Sequence, residues 1–292
     1  MTLICDGPRD FQAKGYRVGP VYDDVLAMSW FFLELIVKSM ALEQIRLFYH
    51  ILPSGEDVPP MQLKEGVFRC IMQLYDCLIT EVHERCKKGL SLAKRLSSSL
   101  GFFCYDLFSV IEPRQVFELV SLYLDKFSGL CQSVLHDCKL TYLQIICDHD
   151  LFVEMPGRDP SDRNYPASVL IQELFVTLDH DDPSQKAKAA RILVVLMCKH
   201  EFDSRYQKPE DKLYIAQLYF PLISQILDEM PVFYNLGAAE KREVLIVVLQ
   251  IVRNLDDASL RKAWQQSIAR TRLFFKVLEE CLILFEVPTQ PC

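Results

Sequence analysis

The stretch from Asp182 to Glu229 constrains the fold most, because it predicts two helices joined by one polar loop. The first helix opens with Asp182 as a cap, Pro183 at the first helical position and Gln185 three residues after the cap. From Ile192 to Cys198 all seven residues are apolar, so we expect this half of the helix to be covered on several sides.

The second helix of this pair is predicted to begin at Pro209, with Glu210 and Asp211 in its first turn, where carboxylates oppose the positive end of the helix dipole. Its apolar residues continue past Pro221, which removes a backbone hydrogen bond and predicts a kink. Hairpins that bury their faces against neighbouring hairpins are typical of helical solenoids. We therefore predict an all-α, irregular armadillo/HEAT-like solenoid of about ten helices, without strands.

The rest of the chain repeats the same kind of unit. We expect a loose leader over residues 1–22, hairpins forming the first half of the solenoid over 23–153, a loop over 154–166, hairpins forming the second half over 167–286, and a tail over 287–292. Outside the first pair, apolar periodicity and caps predict these helices: Asp23 to about Leu52, Leu63 to Lys88 with Gly89 as its C-terminal cap, Leu90 to Val110, Pro113 to Phe127, Gln132 to Cys147, Val169 to Leu178, Glu240 to Leu255, and Leu260 to Phe285.

Composition excludes several classes of protein. Half of the residues are hydrophobic and the formal net charge is -7 with dispersed basic residues, which argues against disorder and against a nucleic-acid partner. The N-terminus lacks a secretory signal pattern, and the longest early apolar run, Val25 to Leu33, is far too short to cross a bilayer. Eleven cysteines, several at helical spacing among apolar residues, fit free thiols in a reducing compartment. These features predict a cytoplasmic protein that is not integral to a membrane.

Three His-Asp dipeptides raise the possibility of metal chemistry: His136-Asp137, His149-Asp150 and His180-Asp181. All-helical HD-type phosphohydrolases hold a divalent metal with such pairs. Two of the three fall at predicted helix ends or loops, where Asp caps helices, and no further ligands are placed. A metal phosphohydrolase is therefore the remote alternative.

Two cysteine–histidine sets are candidate zinc sites: Cys77, His83 and Cys86, and Cys131, His136 and Cys138. Neither has paired C-x-x-C spacing, so core thiols are favoured. No phosphate-binding loop, nucleophile elbow or metalloprotease helix is present. The sequence predicts no catalytic residue, no cofactor-binding residue and no metal ligand.

Two surface features could contact partners. Arg85, Lys87, Lys88, Lys94 and Arg95 form a basic cluster around Gly89, which could meet anionic lipid or an acidic protein but is more typical of a solvated face. The stretch from Met155 to Tyr165 could be a recognition loop, although a connector between hairpins is favoured. Peripheral lipid contact is not expected.

Four long strings carry a family resemblance: MSWFFLELIVKSMALEQ (Met28 to Gln44), ICDHDLFVEMPGRDPSDRNY (Ile146 to Tyr165), KHEFDSRYQKPEDKLYIAQLYFPLISQILDEMPVFYNL (Lys199 to Leu236) and IVRNLDDASLRKAWQQSIARTRLFFKVLEECLILFE (Ile251 to Glu286). They closely resemble the dedicator-of-cytokinesis family, and within it the zizimin-related branch. The resemblance covers about Asp23 to Glu286.

The resemblance implies a function that composition and periodicity do not. Members of this family are large guanine nucleotide exchange factors for Rho-family GTPases, with a C2-like domain, an armadillo-type helical region and a C-terminal exchange domain. This chain is similar to the helical region alone, so the resemblance implies a non-catalytic scaffold that contacts regulators, adaptors and neighbouring domains of the parent, in actin and cell-migration signalling. The alternative is a free-standing helical adaptor that competes for regulators of the full-length factor.

Overall fold

The computed structural model describes residues 20–48, 58–127, 133–149, 165–179, 181–264 and 267–285. These ranges hold thirteen α-helices: α1 Pro20–Ala27, α2 Ser29–Phe48, α3 Glu65–Cys86, α4 Leu90–Leu107, α5 Pro113–Phe127, α6 Ser133–His149, α7 Tyr165–Leu178, α8 Pro183–Phe202, α9 Pro209–Asp228, α10 Met230–Tyr234, α11 Ala238–Asn254, α12 Asp257–Trp264 and α13 Ile268–Phe285. Within the described ranges, β-structure is limited to an isolated bridge between Met61 and Ile111. The all-α prediction is confirmed.

The chain divides into two compact units, Met1–Pro166 and Ala167–Cys292. The predicted leader, intervening loop and tail fall largely outside the described residues, and their bounds stay predictions. Helix α1 begins at Pro20, three residues before the predicted start, and α7 begins at Tyr165, inside the predicted loop.

In the first unit, α4 is the central helix and contacts each of α1, α2, α3, α5 and α6. Its serines and glycine have poor helix propensity, yet they let neighbouring helices approach closely. A Cβ atom built on Gly101 would lie 3.2 Å from Cδ1 of Ile145 in α6. The small side chains of α4 therefore serve its packing against α6.

In the second unit, α11 contacts α8, α9 and α13. The cap of α8 is as predicted, because Asp182 Oδ1 accepts a hydrogen bond from the Ser184 N–H at 2.9 Å and Pro183 follows the cap. Helix α9 begins at Pro209 as predicted and continues through Pro221 to Asp228.

The apolar run of α8 is buried on part of its surface and exposed on one side. Leu193 and Leu196 are buried, but Val195 is 42% exposed and Cys198 is also exposed. Val195 and Cys198 are three residues apart, so they lie on one side of the helix, away from the buried leucines. In contrast, Val244, Leu245, Val247 and Val248 of α11 are all buried.

Three other boundaries differ from the predictions. The long first helix is broken at Met28, where Val21–Ala27 and Ser29–Phe48 meet at 50°. The last predicted helix is divided into α12 and α13, and Asp256 caps α12 by accepting from the Ser259 N–H at 2.9 Å. Gly89 directly precedes α4 as its N-cap, with φ of -157°, although its N–H also closes α3 by bonding the Arg85 carbonyl at 2.7 Å.

Among the described helices, none is long and apolar enough by itself to cross a bilayer. The bent pair of α1 and α2 passes that test of length and composition when its two helices are counted together.

Candidate protein-docking site

Helix α2 is apolar on two opposite sides. Leu33, Val37 and Met40 are buried against the rest of the first unit. At 100° per residue, a second row projects from roughly the opposite side, and all its members are exposed; this outer stripe consists of Phe31, Leu35, Leu42 and Ile45. A helix that is apolar on both sides is normally covered on both sides, so the outer stripe is a candidate docking surface.

The charged residues of α2 are paired with one another. Lys38 Nζ lies 2.5 Å from Glu34 Oε1, and Arg46 Nη2 lies 2.6 Å from Glu43 Oε1. Because each pair sums to zero charge, the outer stripe is bordered by little net charge. This arrangement favours an apolar contact over long-range electrostatic attraction.

An open groove of about 520 Å³ lies between α2 and α4. We call it the α2–α4 groove; its lining residues are Trp30, Leu33, Glu34, Lys94, Arg95, Ser98, Ser99, Phe102, Phe103 and Asp106. Trp30 is 47% exposed and Phe102 is 54% exposed, so two large aromatic side chains are available to a ligand. Exposed aromatic side chains in a groove are frequent anchors of protein–protein contacts.

The groove carries opposite charges at its two ends. Arg95 Nη2 donates to the Ala27 carbonyl at 3.0 Å, which places the basic end beside the junction of α1 and α2. At the other end, burial and then the neighbouring Glu34 carboxylate raise the pKa of Asp106, while Lys38 opposes the shift. From Lys94 to Asp106 is twelve residues, or about 18 Å along the helix axis.

Helix α1 is fixed to α3 by an ion-pair cluster. Arg85 Nη1 lies 2.7 Å from Asp23 Oδ1, and its Nε lies 3.4 Å from Glu81 Oε2. The Arg85 guanidinium also lies 5.9 Å from the ring centre of Tyr22. These contacts hold α1 at its angle to α2 and so define one end of the α2–α4 groove.

The basic cluster predicted around Gly89 is therefore mostly used within the first unit. Arg85 pairs with Asp23, Lys94 Nζ lies 2.8 Å from Asp137 Oδ2, and Arg95 bonds a backbone carbonyl. Lys87 and Lys88 are exposed in the turn between α3 and α4. Lys94 and Arg95 are exposed as well, so the prediction of a solvated face holds for four of the five residues, and Arg85 is the one that is largely covered.

Beneath the groove, α4 is held by a buried polar network that the sequence did not suggest. The Tyr75 hydroxyl lies 2.7 Å from the Tyr142 hydroxyl and 3.2 Å from Cys104 Sγ, and Cys104 Sγ lies 3.4 Å from the Tyr142 hydroxyl. We call these three side chains the Tyr–Cys triangle. Phe103, on the groove floor, packs on the Tyr75 ring with 6.2 Å between ring centres.

A second part of the network ties α4 to α5 and α6. Ser97 Oγ lies 2.8 Å from the Tyr123 hydroxyl and 3.3 Å from the Cys138 carbonyl. The Tyr123 ring stacks on Tyr142 at 3.8 Å with 7° between the planes. All of these side chains are buried, so their hydrogen bonds specify how the four helices meet.

Of the three His-Asp pairs, His136-Asp137 is the one that lies wholly within the described residues. Asp137 in α6 pairs with Lys94, and His149 Nε2 lies 2.9 Å from Ser109 Oγ, with its ring 4.7 Å from that of Tyr105. Asp150 and His180 lie outside the described residues. Among the residues that the structure describes, no group of three or more His, Cys, Asp or Glu side chains is placed to hold a metal ion.

The second candidate zinc set is described only in part, because Cys131 lies outside the described residues. Cys86 of the first set lies near Cys138 of the second. Burial, reinforced by Cys86, raises the pKa of the Cys138 thiol to about 12. Cys138 is 2% exposed, so its thiol lies in the core of the first unit.

Comparison with known proteins identifies the relatives of this chain. The family model described as DOCK6-11, TPR domain, matches residues 9–147, which begins inside the predicted leader and ends within α6. Guanine nucleotide exchange factor SPIKE 1 of Arabidopsis thaliana is 82% identical over 275 residues, covering 94% of this chain and 15% of the relative.

Animal proteins are similar at lower identity. Dedicator of cytokinesis protein 7 of Homo sapiens is 28% identical over 74% of this chain, and dedicator of cytokinesis protein 8 of Mus musculus is 26% identical over the same share; the match covers 12% of each relative. The chain thus spans less than a sixth of the length of these curated relatives. No solved structure matches it significantly.

Proposed function

Because the chain belongs to the dedicator-of-cytokinesis family, we propose that it acts as a non-catalytic helical scaffold segment of a guanine nucleotide exchange factor for Rho-family GTPases. One observation carries the proposal: 82% identity extends over 94% of the chain but over only 15% of the relative named as an exchange factor. The segment supports and spaces other regions of such a protein, and exchange itself resides elsewhere in it.

Protein partners are the ligands of this segment in the proposed role. The outer stripe of α2 is an exposed apolar surface bordered by paired charges, and the α2–α4 groove is an apolar surface with a charged group at each end. Both suit contacts with regulators, adaptors or neighbouring domains. We also propose that the protein is located in the cytoplasm. This location is supported by the eight free cysteines among the described residues, four of them buried, which fit a reducing compartment.

Nucleotide release provides the test. Purified 292-residue chain is added to Rho-family GTPases loaded with fluorescent GDP, and EDTA, which removes magnesium, serves as the positive control. We expect release at the intrinsic rate at every concentration of the chain. Concentration-dependent acceleration, by contrast, would place exchange activity within this segment and refute the proposal.

A free-standing adaptor is the second candidate, favoured by the exposed outer stripe of α2. In excess, such an adaptor would compete for regulators and lower the GTP-bound fraction of Rho-family GTPases in cells. Leu42→Lys tests whether the stripe is needed for this effect. Because Leu42 is 69% exposed, the substitution changes the stripe without disturbing the core. An equal effect of the wild-type chain and Leu42→Lys would remove the stripe from this role.

A further inference from the structure

The α2–α4 groove is the exposed surface of the first unit whose shape and charge together specify a ligand. Its floor is apolar, formed by Leu33, Phe103 and the flanking rings of Trp30 and Phe102. Ser98 and Ser99 add small side chains along α4 that leave room for a ligand. An elongated apolar channel of this kind fits the nonpolar side of a helix.

The length of the groove fixes the size of the ligand. Helix α4 lines the groove from Lys94 to Asp106, and α2 borders it over one turn through Trp30, Leu33 and Glu34. The Ala27 carbonyl, at the end of α1, lies beside Arg95, and Glu34 lies near Asp106 in the last turn of α4. The part of α4 that lines the groove is about 18 Å long, which matches about twelve helical residues, or slightly more than three turns.

The charges fix the polarity of the ligand. Among the described residues, the basic side chain that acts on Asp106 is Lys38, which is also paired with Glu34, so these three groups together keep one negative charge at the acidic end. At the basic end, Arg95 bonds a neutral carbonyl and keeps its positive charge. A ligand with a basic group at one end and an acidic group at the other complements both ends.

We propose that the α2–α4 groove binds an amphipathic α-helix of a partner protein, with apolar anchors at i, i+3 or i+4 and i+7, a Lys or Arg facing Asp106 and Glu34, and an Asp or Glu facing Arg95. This deepens the scaffold function and rests on it, since it names the chemistry of the docked partner. Two other occupants fit less well. An anionic lipid surface would meet Asp106 and Glu34, and a second copy related by a two-fold axis would place one concave groove against another.

Selection of peptides from a displayed library tests the proposal. Random 16-residue peptides are selected on the full 292-residue chain and counter-selected on Phe102→Lys, which places a charge on the groove floor. Because Phe102 is 54% exposed, this variant should keep the wild-type circular dichroism spectrum and melting temperature. We expect enriched peptides to share the apolar spacing and the oppositely charged ends, and to bind Phe102→Lys at least about tenfold more weakly.

Charge reversal at the acidic end then distinguishes binding in the proposed orientation from nonspecific hydrophobic binding of the peptide. Asp106→Lys should weaken an enriched peptide about tenfold, and exchanging the basic residue of the peptide for Glu should restore its affinity. Glu118→Lys is the matched control, because Glu118 is exposed on α5 and lies outside the groove. That control should change the Kd less than about twofold.

Several outcomes would overturn the proposal. These are the failure to enrich peptides, equal binding to the wild-type chain and Phe102→Lys, or the absence of rescue by the reversed peptide. Two others assign the groove to a different occupant: a dimer by sedimentation that Phe102→Lys dissociates, or binding to vesicles of phosphatidylserine and phosphatidylcholine that Phe102→Asp abolishes. Nucleotide release, measured separately, decides whether the scaffold function itself has failed.

Discussion

Removing one hydroxyl from the Tyr–Cys triangle should destabilise the first unit by more than the loss of a single hydrogen bond. Each of its three groups carries one proton and can accept another, so three protons fill three contacts in a closed ring. Tyr142→Phe breaks two contacts, at 2.7 and 3.4 Å, and leaves Tyr75 and Cys104 with two protons for one contact. Burial of an unsatisfied donor costs about 1–3 kcal/mol, so we expect a loss of about 2 kcal/mol.

The double variant tests whether the ring acts as a unit. Tyr75→Phe alone should also cost about 2 kcal/mol, because it too leaves one buried proton without an acceptor. Tyr75→Phe with Tyr142→Phe removes both hydroxyls and leaves only the weakly polar Cys104 thiol, so its cost should fall at least about 1 kcal/mol short of the sum. The Tyr142 ring keeps its stacking on Tyr123 throughout.

Urea unfolding followed by tryptophan fluorescence measures these costs. The chain has two tryptophans, Trp30 in the first unit and Trp264 in the second, so a Trp264→Phe background leaves a probe in the first unit alone. Tyr105→Phe is the matched control; its ring contacts with Phe102 and His149 are kept, and the change should stay within about 0.5 kcal/mol. If Tyr142→Phe costs no more than this control, or the double variant equals the sum, the cyclic network is refuted.

The remaining predictions concern pH, thiol access and packing. Burial raises the pKa of Tyr75, Tyr123 and Tyr142 above their unfolded value of about 10, so above that pH the folded form binds more protons than the unfolded form. The contribution of these tyrosines to stability is therefore full below about pH 10 and falls as the pH rises further. Melting temperatures measured over a series of pH values should show this fall, and a flat profile above pH 10 would contradict it. With iodoacetamide at pH 7.5, mass spectrometry should find the exposed Cys70 and Cys198 alkylated first and Cys138 only after denaturation, and rapid labelling of Cys138 would contradict its burial. Leu196→Asp should prevent folding, because it buries an unpaired charge at a position that is 1% exposed; wild-type melting would show that α8 is not packed there. Gly101→Leu should lower the free energy of unfolding by about 1–3 kcal/mol, because the larger side chain pushes α4 away from α6. An unchanged midpoint of urea unfolding would contradict this prediction.

Local signals predicted helix ends well where a capping residue or proline was present. Helix α5 begins at Pro113 and ends at Phe127 as expected, and the starts of α8 and α9 follow Asp182 and Lys208. The break at Met28 has no such signal, since no glycine or proline lies between Val21 and Phe48 and apolar residues continue on both sides of Met28. It accompanies contacts between α1 and α3 through Arg85, about sixty residues away in the chain. A pattern within one helix cannot reveal that contact.

The buried hydrogen bonds of the first unit could not be predicted from the sequence for the same reason. Tyr75 and Tyr142 are 67 residues apart, and Ser97 and Tyr123 are 26 apart, so no local spacing joins them. Tyrosine and cysteine at helical intervals indicate a core, which is correct, but they do not indicate which hydroxyls meet. The α2–α4 groove likewise combines residues of two helices that are separated in the chain by α3, so the sequence does not indicate the groove. The apolar residues of α2 alone are visible in the sequence.

The two sides of α4 separate stability from binding. At 100° per residue, Ser97, Gly101 and Cys104 project toward α5 and α6, while Arg95, Phe102 and Asp106 lie on roughly the opposite side and line the groove. Phe103 lies between the two sides, where it is 2% exposed and contacts both the groove and Tyr75. Substitutions on the inner side should therefore change unfolding without altering the chemistry of the groove, and substitutions on the outer side should change affinity without altering unfolding. Phe103→Ala should affect both, because it removes a core side chain and part of the groove floor together.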